Sequence, residues 1–427
     1  MGVSNQEKTH TRGEGIHLMA KPAGPVCNLD CTYCFYLEKE HLYPKNNRFL
    51  MSDEVLRTYI EQNIEREASP EVVFTWQGGE PMLRGLDFYQ RAFAYQQALA
   101  GGKTIRNALQ TNGTLLDEAW CEFLAKAGFT VGISLDGPKE IHDADRVDKQ
   151  GRPTFDAVMR GIELLKKYQI EFNVLVTVTN NVAQHPKQVY QFLKHQNITH
   201  VQFNPVVERM PNHQEQTIGL TFAQPGKVSL SKQAVQVTPH SVAPAAYGEF
   251  LNAIFDEWVR NDVGKVFVMN FEWALASFMR LPSTVCLFAE NCGKALILEH
   301  NGDVYSCDHF MYPEYLLGNL QDNSVTEMAN SSQQIAFGNA KSKDLPNFCK
   351  QCEYLFACHG ECPKNRFSQT PDGEANLNYL CPSYKTYFKH IAQYMNAIAK
   401  LISHGQPAAL IMDAFNGPLM VKLADRP

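Results

Sequence analysis

Residues 15–36 read GIHLMAKPAGPVCNLDCTYCFY: an apolar run of strand length, a Pro- and Gly-containing turn, then three cysteines spaced Cys27-x3-Cys31-x2-Cys34. Downstream, five more strand-like runs follow at 72–76, 104–110, 129–135, 171–178 and 200–206, each alternating with a longer amphipathic stretch. Strands alternating with helices through right-handed crossovers make a parallel sheet. Six such units predict a partial (β/α)6 TIM-like barrel. The cysteine loop then lies directly after the first strand, at the sheet edge where α/β folds assemble their sites.

The helix after the first strand has a legible start. Ser52 stands as N-cap, Asp53 and Glu54 occupy the first turn, and Met51 with Leu56 is placed as a hydrophobic staple. In LLDEAWCEFLAKAG (115–128), Leu116, Ala119, Trp120, Phe123 and Leu124 recur at helical spacing, so Cys121 reads as a small buried hydrophobe. From 210 to 244 the pattern dissolves into a polar Gln- and Pro-containing stretch, expected as an insertion or linker over the barrel mouth. A helix at 245–262 follows, and helical residues 383–403 close the fold. The implied division is a barrel at 12–209, insertion and linker helices at 210–285, a cysteine-rich domain at 286–400 and a tail at 401–427.

Composition narrows the function classes. The chain has 427 residues, 44% of them hydrophobic and 20% charged, with 39 Lys and Arg against 45 Asp and Glu for a net charge of -6. No basic field for nucleic acid is present. No window offers the ~18 uninterrupted apolar residues of a membrane span, and the first residues lack a signal-peptide run, so the expectation is a cytoplasmic protein without membrane or nucleic-acid partners. Met1-Gly2 suggests myristoylation, but Gln6 stands where that motif needs Ser or Thr.

Twelve cysteines in such a chain point to metal or redox chemistry, because disulfides are rare in reducing compartments. Three lie at 27, 31 and 34, eight between 286 and 381, and Cys121 stands alone. A four-iron, four-sulfide cluster takes four ligands, so three thiolates leave one iron open to an exogenous chelator. A structural zinc site wants four closed ligands; Asn28, Asp30, Thr32 and Tyr33 do not complete one, although His41 could.

CNLDCTYC resembles the cluster motif of the radical S-adenosylmethionine enzymes, whose open iron is chelated by the methionine moiety of the cofactor. Gly78-Gly79-Glu80-Pro81 after the second strand is similar to the family's segment for the methionine amino group. QTNG (Asn112) after the third strand and SLDG (Ser134) after the fourth match its further cofactor contacts. The resemblance also implies Tyr33 and Arg146 at the cofactor, Arg146 toward its carboxylate with a surface ion pair as the alternative, and Tyr36 and Gln77 at the substrate. Radical chemistry of this kind calls for a shielded barrel with neutral, apolar walls.

The other cysteines run Cys286-x5-Cys292-x14-Cys307, then Cys349-x2-Cys352-x5-Cys358-x3-Cys362, then Cys381. Asn301-Gly302 signals a type I′ hairpin that returns Cys307 toward Cys292. Two sets of four suit two fully ligated clusters, and a zinc-ribbon-like domain uses the same ligand types. The spacing resembles the SPASM extension, in detail that of anaerobic sulfatase-maturating enzymes. That resemblance implies one 4Fe-4S cluster on Cys286, Cys292, Cys307 and Cys362 and another on Cys349, Cys352, Cys358 and Cys381, three clusters in all with the first. It also makes Asp308 the general base.

The implied activity is oxidation of a Cys or Ser in an unfolded sulfatase polypeptide to Cα-formylglycine, with a flavodoxin- or ferredoxin-type electron donor. S-Adenosylmethionine cleavage leads to hydrogen abstraction from the target Cβ, Asp308 removes the thiol or hydroxyl proton, and the auxiliary clusters take the second electron. A SPASM-type maturase forming thioether or carbon crosslinks in a small ribosomal peptide is the alternative inside the superfamily, and a zinc-stapled interaction protein the alternative outside it.

Overall fold

The computed structural model describes residues 15–226 and 235–415. The predicted barrel start at 12, the Met1-Gly2 end, residues 227–234 of the insertion and tail residues 416–427 lie outside the described residues. Ten strands form one sheet: β1 (His17–Lys21), β2 (Glu71–Trp76), β3 (Thr104–Thr111), β4 (Phe129–Ser134), β5 (Phe172–Val178), β6 (His200–Pro205), β7 (Phe267–Val268), β8 (Ala295–Glu299), β9 (Asp303–Tyr305) and β10 (Leu316–Asn319). Their spatial order is β10-β9-β8-β1-β2-β3-β4-β5-β6-β7. Pairing is parallel from β8 through β7 and antiparallel between β8, β9 and β10. The two ends do not meet, so the barrel is partial, as the six β/α units predict.

One face of the sheet carries Leu109, Val131, Ile133, Val174, Val176, Val201 and Phe203, all essentially inaccessible and packed into the main core. The opposite face presents Gln110, Ser134, Asn173, Thr177, Gln202 and Asn204, half-buried. The expectation of neutral, apolar inner walls is therefore corrected: these strands present polar side chains, and β1 and β8 end in the charged Lys21 and Glu299. Period-two alternation explains it, since each strand gives its β-branched and aromatic residues to the helix-facing side.

The helix Asp53–Arg66 begins as read, with the Ser52 hydroxyl accepting the Val55 N–H at 3.2 Å and Met51 and Leu56 both in the core. Cys121, on the helix Glu118–Lys126, is fully buried among hydrophobic neighbours. The helices Ala246–Asn261 and Cys381–Ser403 meet at Gly248, where a Cβ would sit 2.5 Å from the Ser383 carbonyl; the Ser383 hydroxyl accepts the Gly248 N–H.

The cysteine-rich region joins the barrel sheet, because β8 lies parallel to β1 with Leu18 opposite Leu296 and Ala20 opposite Leu298. The β8–β9 hairpin forms, but it is not a type I′ turn. Gly302 alone takes a positive φ, of 91°, and its N–H donates to the Glu299 carbonyl, closing the turn one residue early; Asn301 instead accepts the Asp303 N–H through its side chain.

Candidate active site

Cys27, Cys31 and Cys34 line a cavity of about 580 Å³ together with Glu38, Thr221 and Phe222. Burial pushes the Cys27 and Cys31 thiols up to about 12, and each is raised further by its neighbouring thiols. Three thiols that resist ionising unaided, yet crowd one another, suit a metal cluster that supplies the missing positive charge. The insertion reaches this mouth as expected: Glu38 Oε2 accepts the Thr221 N–H, the Thr221 hydroxyl and the Phe222 N–H.

The loop is held by the GGEP segment from behind. Gly79 N–H donates to the Gly24 carbonyl and Glu80 N–H to the Val26 carbonyl. A Cβ on Gly79 would lie 2.1 Å from the Val26 oxygen, so only glycine lets the cysteine loop pass. The Glu80 side chain turns into the protein. Its carboxylate is fully buried and bonded to Met82 N–H, Thr111 Oγ1 and Asn112 N–H, tying the ends of β2 and β3 together. Burial raises its pKa to about 7 despite those three donors.

Asn112 donates to Asn28 Oδ1 at 2.9 Å and lies 3.7 Å from Cys27 Sγ. Ser134 accepts from Gln110 on the inner sheet face. Tyr33 and Arg146 meet at Asp136, which sequence reasoning passed over within SLDG. The Tyr33 hydroxyl donates to Asp136 Oδ2 at 2.8 Å, and Arg146 Nε donates to the same oxygen at 2.7 Å. Asp136 is inaccessible and Arg146 nearly so. Arg146 is therefore in a buried ion pair rather than a surface one. Its charge opposes the burial that raises the Cys31 thiol.

Asp308 opens the short turn after Cys307, a quarter exposed. Lys21 at the end of β1 places its ammonium 2.6 Å from Asp308 Oδ1 and 3.8 Å from the centre of the Tyr36 ring. Burial acts to raise the Asp308 carboxyl, but Lys21 and then His309 outweigh it and hold it below the ordinary carboxylate range. Tyr36 in turn donates to the buried Glu299 at the end of β8. Gln77, directly after β2, is tied to the end of β1 through its N–H on the Ala20 carbonyl. Around this group lie further buried ions that the sequence did not flag: Lys39 over the Tyr312 ring at 3.5 Å, and Glu208 paired with Lys364. Only a charged residue inside an otherwise apolar strand, as Lys21 is in HLMAK, could have signalled any of them.

The eight remaining thiols separate by mutual influence. Beyond burial, Cys307 is raised by Cys362 and Cys286, Cys292 by Cys286, and Cys362 by Cys286. Cys358 is raised by Cys381 and Cys349, Cys381 by Cys349 and Cys352, and Cys349 by Cys352. Cys358 and Cys362 fall in different groups because His359, Gly360 and Glu361 are all left-handed, with φ of 45°, 68° and 51°. That backbone is clamped by Arg366, which donates to the carbonyls of His359, Gly360 and Glu361.

Comparison with known proteins agrees with this geometry. Residues 22–193 match the Radical SAM superfamily, and residues 286–353 match SPASM, an iron-sulfur cluster-binding domain. The chain is 46% identical to the serine-type anaerobic sulfatase-maturating enzyme of Bacteroides thetaiotaomicron, over 95% of this chain and 97% of that one. It is 35% identical to the cysteine-type enzyme of Clostridium perfringens, over 88% and 96%. The solved structure of native anSMEcpe with bound AdoMet and Cp18Cys peptide superposes with a TM-score of 0.77 at 34% identity, covering 90% of this chain and 99% of that one. Among the described residues no helix is long and apolar enough to cross a membrane.

Proposed function

The chain belongs to the anaerobic sulfatase-maturating enzymes, radical S-adenosylmethionine proteins with a SPASM domain, and on that premise we propose how its own residues divide the oxidation of a sulfatase Ser or Cys to formylglycine. Cys27, Cys31 and Cys34 would hold a 4Fe-4S cluster; the two groups of four thiols would hold two more. Bound S-adenosylmethionine and these clusters supply hydrogen-atom abstraction at the target Cβ and a place for one electron. The Gly78–Gly79–Glu80 segment would hold the amino end of the cofactor, and Asn112 and Ser134 would contribute further contacts to it. Tyr33 and Arg146 act through Asp136, fixing the wall behind Cys31 rather than touching a ligand.

The observation that carries the reading is Asp308, ionised by Lys21 and adjacent in sequence to a cluster ligand. From a serine substrate, a hydrogen atom leaves the Cβ and the hydroxyl proton passes to an Asp308 oxygen; the remaining electron would be taken up by the cluster that Cys286, Cys292, Cys307 and Cys362 would hold. Aldehyde is left. The Lys21 ammonium keeps Asp308 deprotonated before that transfer, and Tyr36, fixed by Glu299, shapes the wall beside it. Tyr36 and Gln77 border the substrate.

The substrate is an unfolded sulfatase segment, and serine is the accepted residue, supported by the 46% identity to the serine-type enzyme of Bacteroides thetaiotaomicron. A flavodoxin or ferredoxin in the cytoplasm would deliver the initiating electron. Formylglycine formation is favoured over crosslinking of a ribosomal peptide by the same relative. Anaerobic incubation of the reconstituted protein with S-adenosylmethionine, reductant and matched Ser and Cys peptides tests this reading. The Ser peptide should lose two hydrogens; conversion of the Cys peptide alone would refute serine specificity, and crosslinked product would refute the activity.

A further inference from the structure

His309 follows Asp308 in the same short turn and is not used by the chemistry above. Its ring is wedged edge-on against Phe35, with centroids 5.4 Å apart, on the peptide that carries Cys34. The ring Nδ1 lies 3.7 Å from Cys362 Sγ, within reach of a nitrogen-to-sulfur hydrogen bond. Cys362 belongs to the group with Cys286, Cys292 and Cys307. A thiolate bound to iron offers only acceptor capacity, so a bond between these atoms places the imidazole proton on Nδ1 and points it at sulfur.

From this geometry we infer that His309 is a positioning residue for the electron side of the reaction, donating Nδ1–H to Cys362 Sγ and thereby raising the reduction potential of the cluster beside Asp308. The inference rests on the proposed assignment of Cys286, Cys292, Cys307 and Cys362 to one cluster. A hydrogen bond to a ligand sulfur withdraws charge from the iron and favours the reduced state. One turn thus presents both acceptors to the substrate: Asp308 for the proton and, through the His309 bond, a cluster poised for the electron. The balance is that of serine oxidation, in which a hydrogen atom, a proton and an electron leave and the carbonyl forms.

The backbone N–H of Lys364 also reaches this sulfur, and substitution of His309 leaves that donor in place. Lys341 is committed to the carbonyls of Cys286 and Leu287, and Arg366 to carbonyls of the 359–361 turn. Among the described residues, His309 alone among histidines has a ring nitrogen within hydrogen-bond distance of a cysteine sulfur.

The test is a redox titration of the anaerobically reconstituted full-length protein, followed by electron paramagnetic resonance, in wild type, His309→Phe and His309→Asn. His309→Phe keeps an aromatic ring against Phe35 but has no donor, and should move one of the auxiliary signals to lower potential while the others stay in place. His309→Asn carries an amide donor near the Nδ1 position and should remain near wild type. Coincident potentials in all three proteins, or equal shifts in Phe and Asn variants, overturn the inference. If instead wild-type protein holds only about eight irons and Cys307→Ala removes no signal, the four-thiol assignment fails and takes the inference with it.

Discussion

The Lys21 ammonium stands 2.6 Å from Asp308 Oδ1, joining the end of the first barrel strand to the turn after Cys307. Lys21 is almost wholly buried, so removing it strands a carboxylate in a desolvated site. Lys21→Met should therefore lower formylglycine yield about tenfold or more, equivalent to ~1.4 kcal/mol in the barrier, while cofactor cleavage to 5'-deoxyadenosine continues. Parallel quantification of both products checks this, and equal losses in the two would contradict it.

Gly79→Ala places a methyl where the Val26 carbonyl stands, 2.1 Å from the ideal Cβ. The cysteine loop must move, and the two auxiliary groups of thiols, far along the chain, need not. Iron should fall from about twelve to about eight per chain, with loss of 5'-deoxyadenosine formation. Full iron content with normal cleavage would show that the loop tolerates the displacement.

Cys358 and Cys362 are only four positions apart, yet the left-handed turn between them directs them to different groups. Cys362→Ala and Cys307→Ala should perturb the same paramagnetic signal, and Cys358→Ala the other. Anaerobic electron paramagnetic resonance of the three variants decides it; a shared signal for Cys358 and Cys362 would mean the thiols are grouped by sequence proximity.

Glu80 gives a pH signature. Its folded pKa is raised, chiefly by burial, to about 7, above the ~4.3 of an unfolded chain. The folded state thus holds the proton more tightly, and this contribution to stability is complete below about pH 4 and disappears as pH rises through about 7. Glu80→Gln turns an amide donor toward donors it cannot satisfy, costing about 1–3 kcal/mol, but does not titrate. The difference in urea midpoint between wild type and variant should narrow between about pH 4 and 7. A widening gap would reverse the assigned sign.

Much of this molecule was legible in its sequence because the signals were local. Strand periodicity located β1 to β6, Ser52 announced its helix, and the cysteine spacing isolated the loop at 27–34. Partners supplied by distant segments were not legible. β8 pairs with β1 across more than two hundred residues, which hydropathy patterning cannot register. Nor does spacing show that Asp136 joins Arg146 to Tyr33, or that Thr111 and Asn112 bond the Glu80 carboxylate. The Asn301-Gly302 turn failed for a different reason. The Glu299 carbonyl captured the Gly302 N–H first, and only the glycine needed a positive φ.

The assignment of Asp308 as the proton acceptor, beside a cluster that takes the electron, is tested most directly by Asp308→Asn. The measurement is the ratio of formylglycine to 5'-deoxyadenosine when the anaerobically reconstituted protein acts on a Ser-containing sulfatase peptide. The wild type should give both products, and the variant should still cleave S-adenosylmethionine while its peptide keeps its original mass. Formylglycine from Asp308→Asn at the wild-type ratio would contradict the account.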